Sequence, residues 1–152
     1  MTNPNQPIAM KEVKTETPPA ALASSAMRTI KIIGIGGAGV SLLGGLNREE
    51  FADANLVAIN TDGASLEASA ATVKIHLETK LLRGLGTGGD PERGRAIAEE
   101  QFATLKTACA GADVVLIISG LGGGAGSGIS PVLARAAKEN GALVLAFVTL
   151  PF

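Results

Sequence analysis

The sequence predicts an α/β fold in which a mostly parallel sheet carries helices on both of its faces. Short apolar runs typical of buried strands alternate with amphipathic stretches that fit helices. Such alternation calls for right-handed crossovers, which join parallel strands through a helix. Three glycine-rich segments also follow predicted strands, and ligands of these sheets bind beyond the carboxyl ends of the strands. The pattern therefore predicts a ligand site together with an architecture.

Composition indicates one globular domain and argues against several functions. The chain has 152 residues, 46 % of them hydrophobic, which is enough to bury a core. A net charge of −1 and an aromatic content of 3 % argue against a nucleic-acid partner. The single cysteine, Cys109, is interpreted as a small core residue of a protein from a reducing cytoplasm. No apolar run is long enough to cross a membrane, so we expect no direct membrane insertion.

The first part of the chain contains a tail, a strand and a helix. Residues 1–28 mix Pro, Thr, Ser, Asn and Lys without a period and are predicted to form a disordered tail. Ile30–Ile35 is a short apolar run that predicts a buried strand. We expect a turn at Gly36–Gly39 and a helix over Val40–Glu50.

The next part predicts two strands around a short helix. Leu56–Ile59 is a second buried strand, and the polar residues Asn60–Gly63 end it. A short helix through Leu66 follows. Val73–Leu77 alternates like an edge strand, and its His76 is interpreted as solvent-facing or internally hydrogen-bonded.

The last part predicts two helices and two strands. An aspartate cap and an initial proline predict a helix over Pro91–Ala110. The continuously apolar Asp113–Ser119 predicts a central parallel strand. A helix over Ile129–Asn140, with Pro131 in its first turn, precedes a fifth strand at Leu143–Thr149.

The three glycine-rich segments are predicted to bind phosphate together. They are Gly34–Gly39, Arg83–Asp90 and Leu121–Gly128. Residues without side chains let several backbone N–H groups approach an anion, and a following helix adds the positive end of its dipole. None of these segments contains the lysine of a P-loop. The phosphate charge must therefore be met by backbone amides, helix dipoles and a metal ion.

A dinucleotide site is an alternative interpretation. Gly34–Gly39 matches G-x-G-x-x-G after a strand, which would suit an NAD-dependent oxidoreductase with Asp53 as the ribose-binding acid. However, Asp53 precedes its strand, and this fold does not need a second run such as Leu121–Gly128. We therefore prefer a different phosphate site.

Several blocks of the sequence resemble the tubulin/FtsZ family, in order and at its spacing. The resemblance extends from about Thr29 to the last residue, and it rests on Ile32–Gly39, Ala58–Asp62, Arg83–Glu92, Gly111–Asp113, Gly122–Gly128 and Val148–Phe152. It implies a Rossmann-like GTPase domain, truncated so that residues 29–152 form its N-terminal part. The family continues beyond this part with the rest of the domain and a second domain.

The resemblance implies GTP or GDP as the ligand, with Mg²⁺ held mainly by phosphates and water and by no protein metal ligand. One group of positions would contact phosphates, a second would lie near magnesium, a third would sense the γ-phosphate, and a fourth would wrap the α- and β-phosphates. In that order, the residues at the family's positions are Gly37, Ala38 and Gly39; Asn60, Thr61 and Asp62; Gly86, Thr87 and Gly88; and Gly122, Gly123, Gly124, Ala125, Gly126 and Ser127. The nucleotide site would also include Gly36, Val40, Ser41 and Gly128.

The chain departs from the family at several of these positions. Ala125 replaces a usual threonine, Ser41 replaces an asparagine that helps bind guanine, and Leu150 replaces a usual arginine or lysine. Losing one phosphate hydrogen bond costs about 0.5–1.5 kcal/mol. We therefore expect a weakened nucleotide site.

The resemblance further implies a filament-forming bacterial cell-division protein, cytoplasmic and placed at mid-cell. Its partners would be further copies of itself, assembled head to tail, and other division proteins. Hydrolysis would need an acidic loop from the neighbouring subunit, so no catalytic residue is assigned and this chain alone is expected to have negligible turnover. A non-catalytic copy that modulates full-length filaments is the remaining alternative.

Overall fold

The computed structural model describes residues 28–46, 49–77 and 86–151, and within them the chain forms a five-stranded sheet with five helices. The predicted tail, apart from Arg28, and Arg83–Leu85 lie outside the described residues. The elements in chain order are β1 (Ile30–Ile35), α1 (Gly36–Gly44), β2 (Ala54–Asn60), α2 (Gly63–Glu67), β3 (Val73–His76), α3 (Pro91–Glu100), α4 (Phe102–Ala108), β4 (Val114–Gly120), α5 (Gly124–Glu139) and β5 (Leu143–Thr149).

All five strands are parallel, and their order across the sheet is β3-β2-β1-β4-β5. The central strand β1 pairs with β2 and β4, so Ile33 lies between Val57 and Ile117. The apolar runs of β1 and β2 are buried on both faces, and that of β4 is buried on one face and half-buried on the other. The predicted fold class is confirmed.

Helices cover both faces and divide the core into two clusters. The alternate side chains of β1, Ile33 and Ile35, pack in the cluster that also holds residues of α3, α4 and α5. Ile32 packs in the smaller cluster, with Val40 and Leu43 of α1. Because strand side chains alternate between the faces, one apolar strand supplies both clusters.

Two helices begin earlier than predicted. Helix α1 starts at Gly36 instead of Val40 and ends at Gly44, and α5 starts at Gly124 instead of Ile129. The glycines expected in turns thus form the first helical turns, although glycine costs about 1 kcal/mol relative to alanine within a helix. Packing against the sheet overrides that local preference. Pro131 accordingly lies inside α5 and not in its first turn.

The single helix predicted over Pro91–Ala110 is two helices. Gln101, with φ −105° and ψ 28°, leaves the helical region between α3 and α4. Phe102, Leu105 and Cys109 are spaced i, i+3 and i+7 and so share the face that packs in or against the larger core cluster. Burial raises the pKa of the Cys109 thiol to about 11, which fits the predicted structural role. Within the described ranges, no helix combines the length and apolar character needed to cross a bilayer.

Candidate phosphate-binding site

A cavity of about 550 Å³ lies at the carboxyl edge of the sheet, where the described parts of all three glycine-rich segments meet. Five parallel strands end on the same side of the sheet, so their following loops are brought together there. The lining residues are Ile35, Gly36, Gly37, Ala38, Asn60, Thr61, Asp62, Ser65, Gly86, Thr87, Gly89, Gly120, Gly122, Gly123, Gly124, Ala125, Gly126, Thr149, Leu150 and Pro151.

Two helix N-termini open into this cavity without a side-chain cap. Helix α1 follows Ile35 and α5 follows Gly123; neither of these residues caps its helix through a side chain, and neither first turn carries an acid. By contrast, Asp62 and Asp90 cap α2 and α3. The first backbone N–H groups of α1 and α5 therefore remain free of competing carboxylates. Such amides, at the positive ends of two helix dipoles, form a site for an anion.

Close approach of the backbone on the floor of the cavity requires glycine at two positions. Gly36 has φ +70°, and a Cβ there would lie 3.1 Å from the amide nitrogen of Gly126. A Cβ on Gly126 would overlap the carbonyl of Gly120 and lie 2.7 Å from Oγ of Ser119. A Cβ on Gly37, an exposed residue of the cavity lining, would in contrast have no atom within 4 Å. The backbone is therefore closely packed at Gly36 and Gly126, whereas there is free space beside Gly37.

Polar side chains line the opposite wall of the cavity. Oδ1 of Asn60 accepts from the Thr61 amide at 2.8 Å. Oδ1 of Asp62 accepts from the Ala64 amide at 3.1 Å, and Oδ2 accepts from Oγ of Ser65 at 2.6 Å. The Ser65 hydroxyl is the main cause that lowers the pKa of Asp62. A carboxylate therefore faces the cavity at neutral pH.

The charges of the cavity lining fit a ligand whose phosphate groups bind together with a cation. Among the described lining residues, Asp62 is the one with a charged side chain. The described residues contain no group of three or more His, Cys, Asp or Glu that could hold a metal ion. Mg²⁺ commonly keeps several waters and binds one or two carboxylates together with substrate phosphates. Asp62 fits such an outer contact, whereas a cage made by protein alone does not fit.

The structure brings together thirteen of the nineteen predicted site residues and places six outside the lining. Gly39 lies in α1 on the side that packs against β4, where a Cβ would overlap the Ile118 carbonyl, and Val40 is buried in the smaller core cluster. Gly128 packs against α3, and Oγ of Ser127 donates to the Leu121 carbonyl at 2.7 Å. The two others, Ser41 and Gly88, are exposed beside the cavity and do not line it.

Several lining residues were not predicted from the sequence. Thr149 ends the fifth strand and Pro151 follows it, and the position of this strand beside β4 brings its end to the cavity. The sequence marks these two residues only as the end of a strand. Because this strand end contains no glycine, it was not recognised as part of a phosphate site. Ser65 had a clearer signal, because a hydroxyl three residues after a capping aspartate commonly bonds to it.

The position of Asp53 disfavours the dinucleotide alternative. Asp53 directly precedes β2 and so lies at the amino edge of the sheet, opposite the cavity. The residue at the carboxyl end of β2 is Asn60. A ribose-binding acid must follow its strand to reach a ligand at the carboxyl edge.

Comparison with known proteins gives a family match and several structural matches. The model for the GTPase domain of the tubulin/FtsZ family matches residues 29–152. An empty FtsZ dimer from M. jannaschii has 43 % identity and a TM-score of 0.79, covering 85 % of this chain and 38 % of that chain.

Two other solved structures share the fold at lower identity. CetZ from Methanosaeta thermophila strain DSM 6194 has 24 % identity and a TM-score of 0.69, with 83 % of this chain and 37 % of that chain covered. TubZ from Clostridium botulinum phage c-st, truncated at its C-terminal tail, has 22 % identity and a TM-score of 0.65, with 81 % and 41 % covered. The chain thus spans about two-fifths of the length of these proteins.

Proposed function

The chain belongs to the tubulin/FtsZ family of GTPase domains, and from this membership we propose that its cavity binds the phosphate groups of GTP or GDP. The observation that carries the proposal is the convergence of two uncapped helix N-termini, α1 and α5, on one cavity. The wall around them is made of glycine and small polar residues, which allows a phosphate to approach the backbone.

Backbone amides take the role that a lysine has in other phosphate sites. The N–H groups at the starts of α1 and α5 donate to phosphate oxygens, and the helix dipoles favour the negative charge. Asp62 would face the water shell of a bound Mg²⁺, which would supply the positive charge that balances the remaining phosphate charge. Among the departures from the family, Ala125 supplies only its amide here, because it has no hydroxyl.

The biological role that we propose is taken from the family and concerns the whole protein, of which this chain forms a part. In the whole protein, we propose head-to-tail filaments in the cytoplasm that act in bacterial cell division at mid-cell, together with other division proteins. Hydrolysis of GTP belongs to the assembled filament, where a neighbouring subunit supplies the acids that position water. This chain spans 38 % of the FtsZ from M. jannaschii, so these properties concern the whole protein.

A pair of matched glycine substitutions tests the phosphate site. Gly37 and Gly44 both lie in α1, and a Cβ at either position has no atom within 4 Å. Gly37 lines the cavity and Gly44 does not. In Gly37→Asp, the new carboxylate competes with phosphate for the amides, so we expect GTP affinity to fall about tenfold to a hundredfold, since hydrogen bonds to charged groups contribute about 1.5–3 kcal/mol.

The measurement is calorimetric titration of the 152-residue chain with GTP and separately with NAD. Gly44→Asp should bind GTP like the unsubstituted chain. An acid in the first turn stabilises a helix, so Gly37→Asp should also retain its unfolding midpoint. Equal GTP affinity in the two variants, or binding of NAD without GTP, would contradict the proposal.

A further inference from the structure

Two basic side chains of β3 hold the short helix α2 at its two ends. Lys74 and His76 are two residues apart in a strand and so point to the same face of the sheet. Nζ of Lys74 donates to the Glu67 carbonyl at 2.9 Å, at the C-terminal end of α2. Nε2 of His76 lies 3.2 Å from the Thr61 carbonyl, just before α2 begins.

The Thr61 carbonyl determines which ring nitrogen of His76 carries a proton. A carbonyl oxygen only accepts hydrogen bonds, so Nε2 must be the donor. The imidazole also covers Gly63, where a Cβ would lie 3.4 Å from Cε1 of the ring. The ring therefore contacts the residues on both sides of Asp62.

The residue between these two contacts belongs to the cavity wall. The carboxylate of Asp62 lines the cavity while it caps α2 through Ala64 and Ser65. Helix α2 has only five residues, too few to hold its own orientation without tertiary contacts. The direction in which Asp62 and Ser65 face thus depends on what fixes this turn to the sheet.

We propose that His76 is a positioning residue that fixes the Thr61–Gly63 turn, so that Asp62 faces the divalent cation accompanying the nucleotide phosphates. This inference rests on the proposed function of the cavity. His76 itself does not line the cavity and acts through the turn. Lys74 makes the same kind of bond at the far end of α2, which gives a matched control.

The first test compares His76→Leu, His76→Gln and Lys74→Leu in the 152-residue chain. The probe is GDP, titrated once with excess MgCl₂ and once with EDTA. Loss of one positioning hydrogen bond in His76→Leu should weaken GDP binding about threefold to tenfold with Mg²⁺ and leave it unchanged with EDTA. His76→Gln retains an N–H donor and should bind within about twofold of the unsubstituted chain, as should Lys74→Leu.

The second test needs no nucleotide. In amide NMR spectra of the ligand-free chain, the Ala64 resonance, whose N–H bonds to Asp62, should differ between His76→Leu and His76→Gln, which both remove the ring, and Lys74→Leu should leave it in place. Unchanged GDP affinity in His76→Leu, an equal loss in Lys74→Leu, or no rescue by glutamine would overturn the role of His76. A chain that binds no GDP before any substitution would instead overturn the proposed function, and with it the role of His76 toward the cation.

Discussion

Leu150 is the residue at which the charge of the cavity is easiest to change. It lines the rim just beyond β5 with 76 % of its surface exposed, so its replacement disturbs little packing. The cavity offers backbone amides to an anion, and the negative charge of Asp62 repels it. A cation at the rim should therefore improve nucleotide binding.

We expect Leu150→Arg to increase GTP affinity about twofold to fivefold at low salt, the range of an exposed ion pair worth about 0.2–1 kcal/mol. The gain should fall as salt is raised, because exposed charges are screened. Leu150→Gln is the control, similar in length and uncharged, and should match the unsubstituted chain. Titrations with GTP at two salt concentrations measure both effects, and a gain that glutamine reproduces would exclude the electrostatic explanation.

At the scale of elements, α3 and α5 pack backbone against backbone. A Cβ on Gly94 of α3 would overlap the carbonyl of Gly124, and one on Gly128 of α5 would overlap the carbonyl of Pro91. A Cβ on Gly124 would lie 2.5 Å from Oγ1 of Thr87. The start of α5 is thus held by the second glycine-rich segment and by the helix α3 that follows it. Glycine here serves helix packing as much as anion binding.

This contact predicts opposite effects of alanine at two helical glycines. Gly94→Ala gains helix propensity but must separate two backbones, so we expect a net loss of about 1–3 kcal/mol in the free energy of unfolding. Gly44→Ala meets no atom within 4 Å and should be neutral or stabilising by up to about 1 kcal/mol. Urea denaturation of both variants measures the difference, and equal stability would show that the helices can separate without cost.

The same contact explains what could and could not be predicted from the sequence. Strands depend on local apolar runs, so Ile30–Ile35 and Leu143–Thr149 were predicted with the observed bounds. The starts of α1 and α5 depend on contacts between distant segments, such as Gly39 of α1 against the Ile118 carbonyl of β4. A local sequence pattern does not predict such contacts. For the same reason, the packing of Gly128 against α3 could not be predicted from its place in a glycine-rich segment.

At the scale of the whole molecule, the two faces of the sheet are covered unequally. Helices α3, α4 and α5 contribute to the larger core cluster, whereas within the part of the chain that the structure describes the short helices α1 and α2 cover the other face. On that face, alternate residues of β5 remain exposed: Leu143 by 60 %, Leu145 by 45 % and Phe147 by 63 %. Adjacent apolar side chains of this size form the kind of surface that associates in water.

We therefore expect the 152-residue chain to self-associate through β5, and Phe147→Lys to weaken that association at least about fivefold. Burying a phenylalanine stabilises by about 1.5–3 kcal/mol, and a buried lysine would add an unpaired charge. Val73→Lys is the control, because Val73 is 45 % exposed on β3 at the opposite edge of the sheet. Sedimentation equilibrium measures the association constants. Equal weakening by both substitutions would indicate a general effect of charge, whereas weakening by Phe147→Lys alone, with an unchanged unfolding midpoint, would locate the contact on the uncovered face beside β4.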